Sequence, residues 1–147
     1  MTIREATIED AFDVMVLSQQ FAKEGPGYFK FNKDKVSSFF SRAISDPSMV
    51  VFLSEDNDGI NGFITGCYTD HPYNGIKAAV ELGWFVTKEK RNGTSALRLV
   101  RSFERWAKDI GAEWTAMSDI IGIQDLSKLY ERDGYHAAER TFMKEVI

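Results

Sequence analysis

Residues 81–110 constrain what this chain can fold into more than any other stretch. Glu81-Leu82-Gly83-Trp84-Phe85-Val86-Thr87 is short, apolar and rich in aromatic and β-branched residues, which predicts a buried strand. The residues that follow, Lys88-Glu89-Lys90-Arg91-Asn92-Gly93-Thr94-Ser95, are charged or small and cannot extend it. The period then changes. Ala96, Leu99, Val100, Phe103, Trp106, Ala107 and Ile110 recur at three- and four-residue spacing, an apolar stripe on one helix face, and Gly111 is placed to end the helix as a C-cap glycine. A strand that turns through small residues into a helix leaves the first helical N–H groups without partners and pointing at one spot, and such a spot attracts anions. The unit therefore reads as strand, phosphate loop, helix.

The rest of the chain has to frame that unit. Its 147 residues make about one domain, enough to bury roughly two-thirds of the unfolded surface without disulfide or metal staples. Residues 2–6 predict a short strand. Thr7, answered by Asp10, caps a helix to about residue 23, with Ile8, Ala11, Phe12 and Met15 on one side and Val14, Leu17 and Phe21 on another. Gly25-Pro26-Gly27 breaks it. A second helix starts near Asn32, carries the stripe Val36, Phe39, Phe40, Ala43 and Ile44, and stops at Asp46-Pro47, because the residue before proline is pushed out of the α region. Residues 49–54 and 60–69 predict a hairpin around Asn57-Asp58-Gly59, and His71-Pro72-Tyr73-Asn74-Gly75 leads into the strand that ends at Thr87. After the long helix come a strand at 113–119, a short helix at 125–133 and one or two terminal strands within 135–146. This order predicts an α/β sandwich with a mixed sheet, in a single domain over 1–147.

Composition narrows the function. A net charge of −4 argues against wholesale nucleic-acid binding, no apolar run approaches the roughly 18 residues of a membrane span, and the polar first ten residues predict no signal peptide. The one cysteine, Cys67, suits a reducing cytoplasm and reads as a core side chain. His71 and His136 lack acidic or cysteine neighbours and read as surface residues, so no metal is expected; Trp84, Trp106 and Trp114 read as core. Charge is nevertheless uneven: between Phe85 and Ile110 seven lysines and arginines face three acids. Most of these read as a solvated helix face, but Arg91, beside the loop, reads as a phosphate contact.

The loop lacks both the P-loop spelling Gly-x4-Gly-Lys-Ser/Thr and Gly-x-Gly-x-x-Gly. It resembles instead the acetyl-CoA pyrophosphate loop of the GCN5-related N-acetyltransferases (GNAT), in which Arg/Gln-x-x-Gly-x-Gly/Ala opens a long helix. Here it runs Arg91-x-x-Thr94-x-Ala96, followed by Leu99 and Val100 as the family's paired aliphatics. Thr94 replaces the first glycine; a residue with a Cβ requires negative φ there, so position 94 is expected to be helical already. A second segment, Leu129-Tyr130-Glu131-Arg132-Asp133-Gly134-Tyr135, resembles the family's aliphatic-Tyr-Glu-x-x-Gly-Phe/Tyr. Seven residues before that tyrosine, where the family usually has asparagine, stands Ile123. The resemblance covers nearly the whole chain and implies a GNAT-like, mixed and mostly antiparallel central sheet flanked by helices, the acyl-CoA N-acyltransferase fold.

The resemblance also implies roles. The pyrophosphate of acetyl-CoA, the acetyl-donor cosubstrate, would lie on Arg91 and the backbone of Asn92, Gly93, Thr94, Ser95, Ala96 and Leu97. The pantetheine arm and thioester oxygen would meet N–H groups of Trp84, Phe85 and Val86 if the strand splays there, with Gly83 either tolerating a bulge or admitting a closely packed helix. Tyr130 stands at the family's general-acid position, although it also continues the apolar pattern of Leu126 and Leu129. Glu81, a carboxylate inside an apolar strand, is either the base, directly or through water, or half of a structural ion pair.

The acceptor implied is a primary amine, of a small molecule or a protein, attacked directly in a ternary complex. Tyr28, Phe29 and Tyr73 are candidate walls of its cleft, and Asp70 with Glu81 would give it negative potential; the plainer reading of all four loop residues is that they cover core edges. A non-catalytic domain of the same fold that binds acyl-CoA or a protein partner is the alternative function. No nucleic acid or membrane is expected as partner, and a homodimer is left open.

Overall fold

The computed structural model describes residues 1–27, 30–120 and 125–147. Its elements in chain order are β1 (Thr2–Glu5), α1 (Ala11–Glu24), α2 (Lys33–Ser45), β2 (Met49–Asp56), β3 (Gly59–Asp70), β4 (Lys77–Val86), α3 (Ser95–Asp109), β5 (Trp114–Ala116) and α4 (Ser127–Arg132). Among the described residues the strands form one sheet in the order β1-β2-β3-β4-β5. The first three pairings are antiparallel and β4 with β5 is parallel, so the sheet is mixed and mostly antiparallel, as expected.

Local chemistry explains most boundaries. Asp10 accepts the N–H of Thr7 at 2.7 Å and closes a 3-10 turn before α1; its carboxyl is held down at about 2, chiefly by the hydrogen bond from Arg4. Asn32 caps α2 by accepting the Lys35 N–H at 3.0 Å, and Asp46 before Pro47 is extended (φ −85°, ψ 121°). The hairpin turns at Gly59, whose φ of +111° only glycine adopts freely. Helix α3 ends in a Schellman arrangement: Gly111 (φ +82°) donates to the Lys108 carbonyl at 3.1 Å and Ala112 to that of Ala107 at 2.9 Å.

Alternation along the strands divides the core into two layers. Met49, Val51, Leu53, Phe63 and Phe85 pack with Val14 and Leu17 of α1 and with Phe40 and Ala43 of α2. Val50, Ile64, Ala79 and Val86 pack with Leu99, Val100, Phe103 and Ala107 of α3. The sheet is thus the middle of a three-layer sandwich, with α1 and α2 on one face and α3 on the other. Contact there is close: a Cβ on Gly66 would meet Phe103 Cε2 and the Val80 carbonyl oxygen, each at 2.5 Å.

Several expectations need correction. On α1 the Val14–Leu17 side is buried, whereas Ile8 and Phe12 are exposed, because two apolar sides cannot both face one sheet. Trp114 is exposed too, at the edge of the sheet, although Trp84 and Trp106 pack against the α3 layer as read. The expected strand at 113–119 shrinks to three residues. No strand forms after Tyr135: residues 137–147 are exposed, with Phe142 and Val146 close to fully so. Strand propensity becomes a strand only where an edge accepts the ladder, and β5 is short. Cys67 is half-buried against the α1/α2 layer, and burial raises its thiol pKa.

Candidate active site

Two departures from regular sheet create the site. The β4–β5 ladder holds only Ala78–Trp114, Ala79–Thr115 and Val80–Ala116, and the strands separate from Glu81 onward. On the other side of β4, Gly66 pairs with Glu81 and Thr65 with Gly83, so Leu82 is left over as a bulge. Gly83 follows the bulge, and what would crowd a side chain there is Phe63 and Thr65 of β3, at 3.3 and 3.4 Å, rather than a helix. Beyond the bulge the ladder is regular. Thr87 donates to the Asn61 carbonyl, so by alternation Phe85 also turns its N–H and C=O towards β3, while Trp84 and Val86 turn theirs to the gap beside β5. Of the three backbone groups read as pantetheine contacts, two face the opening. The indole N–H of Trp84 is buried with no partner among the described residues, a feature invisible in the sequence.

Glu81 and Tyr130 come together in this gap. The Ser118 backbone, in the chain just past β5, lies close enough to the Glu81 carboxylate to lower its pKa. The Tyr130 hydroxyl, on α4, donates to the Ser118 carbonyl at 2.8 Å, and its ring lies 6.1 Å from that of Trp84. Burial raises the Glu81 pKa from 4.5 to about 7, against the lowering effect of the Ser118 backbone. The same loss of water, with the negative charges of Glu81 and Asp119, raises the Tyr130 pKa and keeps the phenol protonated. No ion pair to Glu81 occurs among the described residues, so the structural reading of this carboxylate loses its support. Tyr130 is half-buried and hydrogen-bonded, not a plain core tyrosine. Helix α4 is fastened from its far end: Tyr135 donates to Glu104 of α3 at 2.9 Å, and Arg101 pairs with Asp133.

The loop has the backbone expected of it and a different use for its cations. Thr94 is helical at φ −97°, ψ −2°, which is why a threonine replaces glycine without strain. The first turn of α3 carries no acidic residue and no side-chain cap, leaving the N–H groups of Ser95, Ala96 and Leu97 free of intrahelical partners. Ser95 is buried, whereas Ala96 is half-buried and Leu97 exposed. Arg91, read as a phosphate contact, is engaged elsewhere: Nε donates to the Val86 carbonyl at 2.8 Å, and both terminal nitrogens meet the Glu24 carboxylate at 2.8 and 2.9 Å. Its guanidinium also lies 5.3 Å from the Phe85 ring centre. Lys90 is held by Asp56 and Asp58 at 2.9 Å each. Lys90 and Arg91 are thus both paired, and the helix N-terminus is the part of the loop that fits an anion.

Of the residues read as an acceptor cleft, only Asp70, Tyr73 and Glu81 are among those described, and Asp70 lies away from Glu81. Tyr28 and Phe29 lie outside the described residues, as does Ile123. Tyr73 is 92% exposed, its ring beside that of His71, and Asp70 sits opposite Lys77 in the sheet, about 13 Å along the strands from Glu81. The second carboxylate near Tyr130 is Asp119, which sequence reasoning passed over because nothing in residues 113–125 signals that the chain returns to β4. His71 and His136 are exposed as read, and the described residues hold no helix long and apolar enough to cross a membrane.

No protein-family model and no curated protein matches this chain. Solved structures do. The BH1408 protein from Bacillus halodurans, solved as a tetramutant, is 18% identical and superposes with a TM-score of 0.84 over 99% of this chain and 100% of that one. Ribosomal-protein-alanine N-acetyltransferase from Brucella melitensis biovar Abortus 2308 is 16% identical, with a TM-score of 0.78 and the same coverage. AAC(6')-Iy, solved with the bisubstrate analog CoA-S-monomethyl-acetylneamine, is 17% identical, with a TM-score of 0.79 over 99% of this chain and 97% of that one. At identities this low, the likeness fixes the fold.

Proposed function

Because the chain has the acyl-CoA N-acyltransferase fold of the GCN5-related N-acetyltransferases, we propose that it transfers an acetyl group from acetyl-CoA to a primary amine by direct attack in a ternary complex. The observation that carries this reading is the closeness of Glu81 and Tyr130, both beside Ser118, at the strand whose following loop opens the uncapped start of α3. From Glu81 to Val86 β4 runs about 16 Å, an extended path along which Trp84 offers both backbone groups and Val86 its N–H, the Val86 carbonyl being held by Arg91.

The residues fit the coenzyme. Free N–H groups at a helix start suit a pyrophosphate, and the open edge of β4 suits the amides of a pantetheine arm. When bound, acetyl-CoA supplies the thioester carbonyl that is attacked and the thiolate that leaves. Glu81, with a pKa of about 7, is poised to take a proton from the incoming amine near neutral pH. Tyr130, kept protonated, gives its proton to the sulfur as the carbon–sulfur bond breaks. Glu81 and Asp119 together make this region negative, which favours an acceptor that arrives as an ammonium ion.

The test has two stages. Thermal unfolding is followed over a concentration series of acetyl-CoA, CoA and ATP, where a binder is stabilised progressively by the first two only. Thiol release is then followed with polyamines, aminoglycosides, lysine peptides, peptides with free N-termini and acidic amino acids as acceptors. Stabilisation without thiol release for any amine would leave a coenzyme-binding domain; no stabilisation would remove the proposal altogether.

A further inference from the structure

The use that Arg91 makes of its guanidinium carries an inference that rests on the coenzyme reading above. Its donors are spread over two elements, with Nε on the Val86 carbonyl at the end of β4 and the terminal nitrogens on both oxygens of Glu24. Glu24 is the last residue of α1, and Gly25-Pro26-Gly27 follows at once. The Phe85 ring lies under the guanidinium and touches Phe21, one turn before Glu24, with ring centres 5.5 Å apart. A two-pronged arginine–carboxylate pair fixes orientation as well as distance.

We propose that Arg91 and Glu24 form a strut that sets the shape of the loop amides, so that Arg91 is a positioning residue for the coenzyme and not a ligand of its phosphates. The two roles differ in sign at Glu24. If Arg91 held phosphate, Glu24 would compete for it, and removing the carboxylate would free the guanidinium. If Arg91 braces the loop, Glu24 is its anchor, and losing either residue loosens the same amides.

The experiment compares wild type with Glu24→Gln, Arg91→Gln and the double variant. Both side chains are about one-third exposed, and Glu24→Gln keeps shape and size, so the variants retain the fold. Calorimetric titration with acetyl-CoA is expected to show about 3- to 10-fold weaker binding in each single variant, with the double variant no weaker than the worse single. In the ligand-free protein, amide exchange from Asn92 to Leu97 is expected to quicken equally in both, while the unfolding midpoint barely moves. Unchanged or tighter binding in Glu24→Gln, or losses that add in the double variant, would overturn the strut. Exchange at these amides reads the strut without any ligand. A wild-type protein that binds no acetyl-CoA would therefore sink the coenzyme reading, and exchange rates unchanged in both single variants would sink the strut.

Discussion

Glu81 and Tyr130 are related through one residue: the backbone of Ser118 lowers the pKa of the carboxylate, and its carbonyl accepts the phenol's hydrogen bond at 2.8 Å. The carboxylate is close enough to the phenol for its charge to raise the phenol's pKa.

Tyr130→Phe removes the hydroxyl and keeps the ring. Its bond to Ser118 is part of the folded state, so unfolding should become easier by about 0.5–1.5 kcal/mol. A general acid lost in addition should lower turnover about 10²–10⁴-fold with affinity for acetyl-CoA nearly unchanged. Comparing turnover with denaturant midpoint separates the two effects. A stability loss with full turnover would return Tyr130 to a purely structural part.

Glu81 gives the protein a pH dependence of defined sign. Burial raises its folded-state pKa from 4.5 to about 7, so below the unfolded value both states are protonated and the shift carries no penalty. Between those values the folded protein keeps a proton the unfolded chain has lost, and stability falls as pH rises; above about 7 the loss levels off. Turnover should move the other way, rising towards a plateau above pH 7 as the base ionises. Glu81→Gln should erase the stability slope, raise stability at pH 8 by about 1–3 kcal/mol, and abolish the ionisation in the rate profile. Denaturant midpoints measured from pH 4 to 8 in both proteins check this.

Ala96→Asp divides stability from binding. An acid in the first turn interacts well with a helix N-terminus, so α3 should be unharmed or firmer by about 0.3–1 kcal/mol. The same carboxylate would stand where the pyrophosphate is proposed to lie, and acetyl-CoA affinity should all but vanish. Equal affinity in calorimetry would dispose of the loop assignment.

Gly66→Ala tests the seat of α3. Because one of the atoms a Cβ would strike is the backbone oxygen of Val80, the clash cannot be relieved by turning a side chain. A destabilisation of about 2–3 kcal/mol is expected from such overpacking, read as a lower midpoint in urea.

The sequence was most legible where periodicity and punctuation agree. The stripe from Ala96 to Ala107, the helix start near Asn32, the stop at Asp46-Pro47 and the turn at Gly59 each have a local cause, and each stands as read. Thr94 was legible for the same reason: a Cβ dictates negative φ, and the chain complies. What could not be read depends on distant meetings. Ser118 acts through its backbone, Glu24 reaches Arg91 across 67 positions, and Trp114 is exposed because the sheet ends there. The terminal segment has strand-forming residues, but a strand also requires a neighbour, and composition does not supply one.

The close seat of α3 at Gly66 gives the two walls of the gap unequal stiffness. One wall, β4 with α3 behind it, is backed by the buried cluster of Leu99, Val100, Phe103 and Ala107 and tied to β3 along its length. The other, β5 with the six-residue α4, is joined to β4 by three paired positions. Tyr130 stands on the wall with fewer backbone pairs, and that wall is held to α3 by side chains, through Tyr135–Glu104 and Arg101–Asp133. If the proposed coenzyme enters between the walls, those two side-chain contacts govern how far the phenol stands from Glu81.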